Sequence, residues 1–294
     1  MNDIFLLIAK VLRKFHFPIK LNVKYNDWRH KRILNKLNSD FIQASDNLSV
    51  ETGENGSNKI WILWWQGEEN MPDLVKSCFD SIKNNVGSAE VVLIDKNNVR
   101  NYADFPEYIY QKVSSGKISL THFSDLLRFN LLKQYGGLWM DSTLFVTDKL
   151  ENSIFKDDIY TCAGHEDKEH FFVTQGRWCG FFIGGKKNQP LFNFMNNFFL
   201  NYWKKNDKLI DYFMIDYALN YAWENNIGNF KYWCSKAVGR NKNMFKLQDY
   251  LNTPFNQETL TKLISNTSVF KLSYKKKLQN DPNSFYNKFI LKEH

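Results

Sequence analysis

Apolar residues cluster in a repeating order from residue 59 onward. The continuous run KIWILWWQG (59–67) predicts a strand buried on both faces and ending in a loop. The next segment, 71–85, has Pro72 in its first turn and apolar residues at helical spacing, and EVVLIDKNN (90–98) predicts a second buried strand. A strand, a helix and a strand in this order predict a βαβ unit with a parallel sheet, and therefore an α/β fold.

The segment ISLTHFSDLLRFNLLKQYGG (118–137) predicts a helix that ends at a glycine pair. Ser119 or Thr121 can cap its start, and the glycines supply the left-handed residue that ends it. Apolar residues occupy nearly every side, so we expect this helix to be largely enclosed. Asp125 and Arg128 are charges on one face of it. They either satisfy each other or serve a site, and both interpretations stay open here.

A short apolar segment, Leu138 to Met140, leads directly to Asp141. If that segment is a central strand, Asp141 lies at its carboxyl end, where parallel sheets bind their ligands. Trp65 to Gly67 and Asp95 to Asn98 are expected at the same edge. A carboxylate there can hold a divalent cation that bridges the two phosphates of a nucleotide sugar. The alternative is that Asp141 only closes a turn after the strand.

The N-terminal segment, residues 1–20, has the pattern of an amphipathic helix. The basic residues Lys10, Arg13 and Lys14 lie off its apolar stripe or at the border. The stripe consists of Ile4, Leu7, Ile8, Val11, Leu12 and Phe15. Such a helix either lies in a membrane interface against anionic lipid or docks on the protein's own core.

The same segment bears on localisation and domain boundaries. Asp3 precedes the apolar run and no small-residue cleavage site follows, which disfavours a signal peptide, and Lys10 interrupts the run before it could span a bilayer. We expect a cytoplasmic protein, peripheral on the inner face of the membrane. The polar stretch at 43–58 predicts a loop. This places an N-terminal segment at 1–57 and a catalytic domain at 58–294.

Composition narrows the classes of function. With 43% hydrophobic residues in 294, the chain can bury a large core, which excludes general disorder. The 39 Lys and Arg against 31 Asp and Glu give a net charge of +8, which favours phosphate-bearing partners. The four cysteines form no CxxC pair, so reduced thiols are expected rather than a zinc site.

The segment ISLTHFSDLLRFNLLKQYGGLWMDSTLF (118–145) resembles the hallmark segment of the capsular polysaccharide synthesis family of bacterial glycosyltransferases. More distantly, it is similar to the α-mannosyltransferases and the large glucosylating toxins. The segment KIWILWWQGEENMPDLVKSCFDSIKNN (59–85), with its Trp-rich strand and Pro-led helix, resembles the same family, as does LIDYFMIDYAL (209–219). The resemblance covers roughly residues 58 to 275. The resemblance implies a GT-A-like, Rossmann-related fold with a mixed, mainly parallel sheet flanked by helices. It also implies a nucleotide-diphosphate sugar donor and retention of anomeric configuration.

Site residues follow from this resemblance position by position. Asp125 and Arg128 would contact the donor ribose and sugar, and Asp141 would lie at the metal or donor site. The strand end that would bind the base consists of Trp64, Trp65, Gln66 and Gly67. Gly136 and Gly137 would allow backbone or ligand to approach closely. The family group shows Asp-x-Asp, whereas Thr143 occupies the third position here, so a Mn or Mg ion held by Asp141 and Thr143 would be bound weakly.

Further acids and bases are candidates of lower specificity. Asp216 is expected to be enclosed, more so than Asp211, and to act as a catalytic or acceptor-orienting acid unless it is simply a hydrogen-bonded core residue. The segment VFKLSYKKKL (269–278) could neutralise the donor diphosphate, contact lipid phosphate or form a solvated basic face, through Lys271, Lys275, Lys276 and Lys277. The cluster HEDKEH (165–170) shows no metal-ligand spacing, and a solvated loop explains it.

The sequence therefore predicts a glycosyltransferase that moves a sugar from a UDP-type donor to a lipid-linked glycan. No nucleophile is evident, so a displacement on one face of the sugar is expected, with the leaving phosphate taking the acceptor proton. A phosphohydrolase would need the second acid of D-x-D-x-T, which Thr143 does not supply. A non-catalytic glycan- or nucleotide-binding module is the alternative. Nucleic acid is not expected as a partner, because most tryptophans lie in buried segments rather than alternating with Lys and Arg.

Overall fold

A computed structural model describes residues 2–46, 48, 57–150, 152–279 and 281–292 of the chain. The α-helices are α1 (Asn2–Lys14), α2 (Ile19–Ser45), α3 (Asp73–Asn85), α4 (Val99–Tyr102), α5 (Glu107–Ser114), α6 (Leu120–Tyr135), α7 (Pro190–Lys205), α8 (Met214–Glu224), α9 (Phe230–Ala237), α10 (Leu247–Tyr250) and α11 (Gln257–Ile264). The strands are β1 (Lys59–Leu63), β2 (Glu90–Ile94), β3 (Gly137–Met140), β4 (Leu144–Val146), β5 (Ile159–Thr161), β6 (Phe182–Gly185) and β7 (Val269–Lys271). A π-helix, Tyr286–Leu291, follows near the C-terminus.

The central sheet has five strands in the order β2-β1-β3-β6-β5. Strand β1 pairs in parallel with both β2 and β3, whereas β6 runs antiparallel to β3 and to β5. Four of the five strands therefore point the same way, and the sheet is mixed but mainly parallel. Helices cover both faces, and the α/β, GT-A-like prediction is confirmed.

The two faces of the sheet bury different hydrophobic clusters. In β1, Trp61 faces the cluster formed with α2, α6, α7 and α8, while Ile60 and Ile62 face a second cluster that includes residues of α3. This alternation follows from the two-residue period of a strand, and burial on both faces explains why the sequence of β1 is continuously apolar.

The carboxyl ends of β1, β2 and β3 meet at one edge of the sheet. Strand β6 runs the other way, so its start, just after Phe181, reaches the same edge. The backbone N–H of Asp141 donates to the carbonyl oxygen of Phe181 at 3.0 Å, which fixes the turn that follows β3. The sequence predicts Asp141, Trp65 to Gly67 and Asp95 to Asn98 at this edge.

A two-stranded sheet brings a distant segment to this edge. Strands β4 and β7 are antiparallel, with Leu144 opposite Lys271. The backbone N–H of Leu272 donates to the carbonyl oxygen of Thr143 at 2.9 Å. As a result, the end of β7 lies next to the turn that contains Asp141.

The sequence patterns described above do not predict helix α2, and its end, at Ser45, lies inside the loop predicted at 43–58. Helix α2 has 27 residues, and Ile33, Leu37 and Phe41 join the main core cluster with α7 and α8. A long helix with a narrow apolar stripe reads as polar by composition, because most of its surface faces solvent. The loop predicted at 43–58 lies largely outside the described residues, and the domain boundary near 57 stays a prediction.

Helix α1 packs through a face that the predicted stripe does not include. Leu6 and Ala9 are buried beside Phe171, and the hydroxyl of Tyr25 donates to the carbonyl oxygen of Phe5 at 3.1 Å. The predicted stripe stays mostly exposed: Ile4, Leu7, Ile8, Val11 and Phe15. The helix thus docks on the protein while presenting apolar residues outward. Among the described residues, none of the helices combines the length and apolar character needed to cross a bilayer.

Candidate functional site

Asp141 lies at the end of β3 with three donors around its carboxylate. The Oδ1 atom accepts from Trp139 Nε1 at 2.9 Å and from Arg128 Nη2 at 3.3 Å. The Oδ2 atom accepts from Lys271 Nζ at 2.8 Å. Burial raises the pKa of Asp141, but Lys271 and Arg128 outweigh that effect and hold the pKa below its ordinary value. Asp141 is therefore an anion at neutral pH, with its side chain 28% exposed.

Arg128 joins the two acids that the sequence singled out. Its Nη2 atom lies 3.4 Å from Asp125 Oδ1 and 3.3 Å from Asp141 Oδ1, and its guanidinium lies over the Trp139 ring at 5.1 Å. The side chain is only 4% exposed. A guanidinium this enclosed is stable only when it is paired with a carboxylate. Arg128 is paired with Asp125 of its own helix and also contacts Asp141.

His122 is a site residue that sequence reasoning missed. Its Nε2 atom accepts from Trp203 Nε1 at 3.0 Å, and an indole nitrogen can only donate. A proton is therefore on Nδ1, which lies 3.5 Å from Asp125 Oδ2. The spacing of three residues from Asp125 on α6 was the available signal.

Asp216 is placed in the same cleft by the first turn of α8. Its Oδ1 atom accepts from Trp178 Nε1 at 3.1 Å. Burial, assisted by the nearby charge of Asp125, raises the pKa of Asp216 to about 7, although the bond from Trp178 opposes the shift. At neutral pH the carboxyl group is thus near its midpoint and can both accept and donate a proton.

The prediction that Asp216 is more enclosed than Asp211 is wrong. Asp211 is 5% exposed, whereas Asp216 is partly exposed and lines a cavity. Helix α8 begins at Met214, so Asp216 lies in the helix and Asp211 lies in the preceding turn. There its Oδ1 atom accepts from the backbone N–H of Phe213 at 2.9 Å.

Two adjoining cavities share Asp141, Thr121, Ser124 and Tyr212. The small cavity, of about 200 Å³, extends toward α6 and α8 and is also lined by Asp125, Arg128 and Asp216. The large cavity, of about 690 Å³, extends toward the end of β1 and the segment after β7. Its lining includes Trp64, Trp65, Gln66, Thr143, Lys271 and Lys275. The fold thus brings the predicted strand end, the predicted helix pair and Asp141 to one continuous cleft.

The end of β1 is held in place by local contacts. The indole of Trp64 donates to the carbonyl oxygen of Asn70 at 3.2 Å and meets the ring of Tyr274 edge to face at 5.8 Å. Trp65 packs against Phe123 of α6. Gly67 has a φ of 84°, which allows the chain to turn away from the strand.

Gly136 and Gly137 lie at the opposite end of β3 from Asp141, outside the lining of both cavities. A Cβ atom on Gly137 would lie 2.4 Å from the carbonyl oxygen of Lys59, and one on Gly136 would lie 2.5 Å from the backbone nitrogen of Lys187. These glycines therefore allow backbone segments, rather than a ligand, to approach closely.

The HEDKEH segment is more than a solvated loop. Glu169 Oε1 accepts from Asn22 Nδ2 at 2.9 Å, and its other oxygen lies 3.3 Å from Arg13 Nε. His170 Nδ1 lies 2.8 Å from Asp27 Oδ1, and His165 stacks on Phe245 at the large cavity. The segment fastens the N-terminal helices to the rest of the fold, which the sequence did not reveal because those partners are about 140 positions away.

The oxygen atoms of Asp141 and Thr143 do not form a suitable site for a divalent cation in the observed arrangement. Both carboxylate oxygens of Asp141 already accept hydrogen bonds, and Thr143 Oγ1 accepts from Lys271 Nζ at 2.7 Å. Magnesium and manganese favour several oxygen ligands that include carboxylates. In the described ranges, no group of three or more His, Cys, Asp and Glu side chains converges on a point.

A mainly parallel sheet with a cationic, aromatic cleft at its carboxyl edge defines an α/β protein of GT-A-like class. The sequence from residue 13 to residue 289 matches the family described as capsular polysaccharide synthesis protein, and the chain belongs to that family. It is also similar to the O-glycosyltransferase braB of Annulohypoxylon truncatum, with 31% identity over 102 residues. That match spans 32% of this chain and 24% of the length of the braB protein.

Proposed function

We propose that the chain is a glycosyltransferase that moves a sugar from a UDP-type donor to a hydroxyl group of a lipid-linked glycan in capsular or exopolysaccharide synthesis. One observation carries the proposal: Asp141 lines both cavities, with Arg128 on the side of the small cavity and Lys271 on the side of the large one. A nucleotide sugar needs two adjoining spaces with cationic groups near their junction, because its diphosphate joins the base-bearing part to the sugar.

The donor fits the cleft in one direction. The large cavity offers the aromatic face of Trp64 to the base and the ammonium groups of Lys271 and Lys275 to the diphosphate. The small cavity offers Asp125 and Arg128 to the hydroxyl groups of the sugar. With the opposite orientation, the base would face charged groups and the diphosphate would lie away from the lysines.

The reaction supported by this arrangement is a displacement on one face of the sugar. The bond from the anomeric carbon to the diphosphate oxygen breaks, and its electron pair stays on the phosphate. The acceptor oxygen bonds to the same carbon from the same side and gives its proton to the departing phosphate, so the configuration is retained. Cationic groups stabilise the charge on the leaving diphosphate. Asp216, with a pKa near 7, is suited to holding the acceptor hydroxyl.

We also propose that helix α1 contacts the inner face of the membrane. Helix α1 exposes Leu7, Ile8 and Val11, and its basic residues Lys10, Arg13 and Lys14 are exposed beside them. Apolar residues enter the acyl boundary while ammonium and guanidinium groups meet anionic headgroups. A lipid-linked acceptor resides at the same surface, so this contact would bring the cleft to its substrate.

Incubation with a panel of nucleotide sugars tests the proposal. We expect UDP-sugars to raise the melting temperature more than GDP- or CDP-sugars, because a ligand bound only by the native state stabilises it. One UDP-sugar should release UDP when a lipid-linked acceptor is added. Stabilisation without release for every donor and acceptor would favour the binding module, and stabilisation that ignores the nucleotide would contradict the proposal.

A further inference from the structure

The ammonium group of Lys271 occupies the position between Asp141 and Thr143. Its Nζ atom lies 2.8 Å from Asp141 Oδ2 and 2.7 Å from Thr143 Oγ1, and 4.8 Å from the centre of the Phe181 ring. These are the first and third positions of the motif that, in the family resemblance, would hold a divalent cation. A cation is therefore present at this point of the cleft as part of the chain itself.

The oxygen donors at this point suit an ammonium group better than a divalent ion. Thr143 supplies a neutral hydroxyl where the family pattern has a second carboxylate, so the pair of residues carries one negative charge. Lys271 balances that charge, and Arg128 already bonds the other oxygen of Asp141. A metal ion added here would meet two cations and a single carboxylate, and it would have to displace Lys271 to reach Asp141 Oδ2 or Thr143 Oγ1.

Lys271 is held at this position by the fold. It is the last residue of β7, opposite Leu144 of β4, and Leu272 continues the pairing by donating to Thr143. Its side chain is 22% exposed and lines the large cavity. An ammonium group carries three N–H donors, and Lys271 directs two of them to Asp141 and Thr143. The third is available to a phosphate oxygen in the cavity.

We propose that Lys271 takes the place of the divalent cation and that this glycosyltransferase binds its donor diphosphate without a metal ion. The inference rests on the proposed function and specifies how that site works. When the bond between the sugar and the diphosphate breaks, the electron pair stays on the phosphate oxygen, and Lys271 donates a hydrogen bond to the diphosphate. Asp141 and Thr143 act as positioning residues for the ammonium group.

Binding of UDP by the wild-type chain, measured by calorimetry in EDTA and in MnCl₂, is the first test. We expect dissociation constants that agree within about twofold, and no high-affinity Mn²⁺ binding by electron paramagnetic resonance with or without UDP. An increase of UDP affinity of about tenfold or more with Mn²⁺ would overturn the inference about Lys271 and leave the proposed function standing. Absence of UDP binding in both conditions would contradict the UDP-type donor, and the inference would fall with it.

Variants at the same position provide the second test. Lys271→Met keeps the aliphatic part of the side chain and should weaken UDP binding about tenfold or more, because it removes a charged hydrogen-bond donor. Lys271→Arg should restore part of that affinity. Lys262→Met removes one exposed charge from α11, outside the lining of both cavities, and should leave UDP affinity unchanged. Equal UDP affinity for Lys271→Met and the wild type would overturn the inference.

A double variant tests the replacement directly. Thr143→Asp with Lys271→Ala restores the Asp-x-Asp pattern and removes the ammonium group, so UDP binding should become dependent on Mn²⁺. Circular dichroism would confirm that each variant is folded. If the double variant binds UDP equally well in EDTA and in MnCl₂, the proposed exchange of ammonium for metal is wrong.

Discussion

The indole nitrogen of Trp178 lies 3.1 Å from Oδ1 of Asp216, inside the cleft that also holds Asp125 and Arg128. This single bond does not compensate for burial, which raises the pKa of Asp216 from 3.8 to about 7. Asp216 therefore changes its ionisation near neutral pH, in contrast to Asp141, whose pKa is lowered. The two acids are suited to different tasks because their surroundings differ.

Replacing Asp216 by Asn should make stability less dependent on pH. The folded wild type binds this proton more tightly than the unfolded chain, so its contribution to stability is greatest below pH 4 and is lost as pH rises through about 7. Asparagine stays neutral and still accepts from Trp178. We therefore compare the free energy of unfolding of the variant with that of the wild type at each pH. The difference should favour the variant by up to about 4 kcal/mol more at pH 8.5 than at pH 4. Urea denaturation at both pH values measures this, and an unchanged difference would contradict the raised pKa.

Replacing Asp141 by Asn should remove transfer while preserving the fold. The amide offers one oxygen in place of two, so it cannot hold both Arg128 and Lys271 at the junction of the cavities. We expect a loss of about 100-fold or more in kcat/KM. The release of UDP from the preferred donor, with circular dichroism as the control for folding, measures the effect. Turnover close to wild type would show that Asp141 is not part of the active site.

Replacing Arg128 by Ala should affect stability as well as activity. The guanidinium is buried between Asp125 and Asp141, so its loss leaves Asp125 without its cation and opens a cavity against Trp139, while Asp141 keeps Lys271. We expect Arg128→Ala to lower the free energy of unfolding by about 3–5 kcal/mol. The double variant Asp125→Asn with Arg128→Met should recover part of it, because no unpaired charge remains at that pair. Denaturant unfolding of both proteins tests this, and an Arg128→Ala variant as stable as wild type would contradict the buried pairing.

Gly137→Ala should be more destabilising than Gly116→Ala. Both glycines have positive φ, at 95° and 74°, but a Cβ on Gly137 would lie 2.4 Å from the carbonyl oxygen of Lys59, whereas one on Gly116 would meet nothing within 4 Å. We expect a cost of about 1 kcal/mol at Gly116 and about 3 kcal/mol or more at Gly137. Thermal denaturation compares the two. Equal costs would show that backbone crowding at β3 does not explain the glycine pair.

The exposed stripe of α1 should bind anionic membranes. Leu7→Gln with Val11→Gln removes two exposed apolar side chains and should lower partitioning into phosphatidylglycerol vesicles roughly 100-fold. Val238→Gln removes an exposed apolar residue remote from α1 in sequence and should change nothing. Vesicle flotation measures the bound fraction, with neutral phosphatidylcholine as the lipid control. Equal flotation of the double variant and the wild type would contradict the membrane contact.

The elements with strong local patterns could be predicted from the amino-acid sequence. The strands β1 and β2, the enclosed helix α6 and the acid after β3 follow from hydrophobic period, capping residues and the rule that parallel sheets bind ligands at their carboxyl edge. Strand β2 is less buried than predicted, because it lies at the edge of the sheet and its Val91 and Leu93 are half-buried. The pairing of Asp125 with Arg128 could also be predicted, because residues three apart on a helix share a face. These features depend on residues close together in the chain, so periodicity reveals them.

The groups that complete the cleft come together through the packing of elements that are distant in the chain. Lys271 is 130 positions from Asp141, and only the pairing of β7 with β4 brings them together, so the sequence could not distinguish it from Lys275 in the same basic segment. Helix α2 and the anchoring role of Glu169 were missed for the same reason, since their partners lie in distant elements. Contacts between remote segments depend on the register and packing of whole elements, which no local pattern specifies.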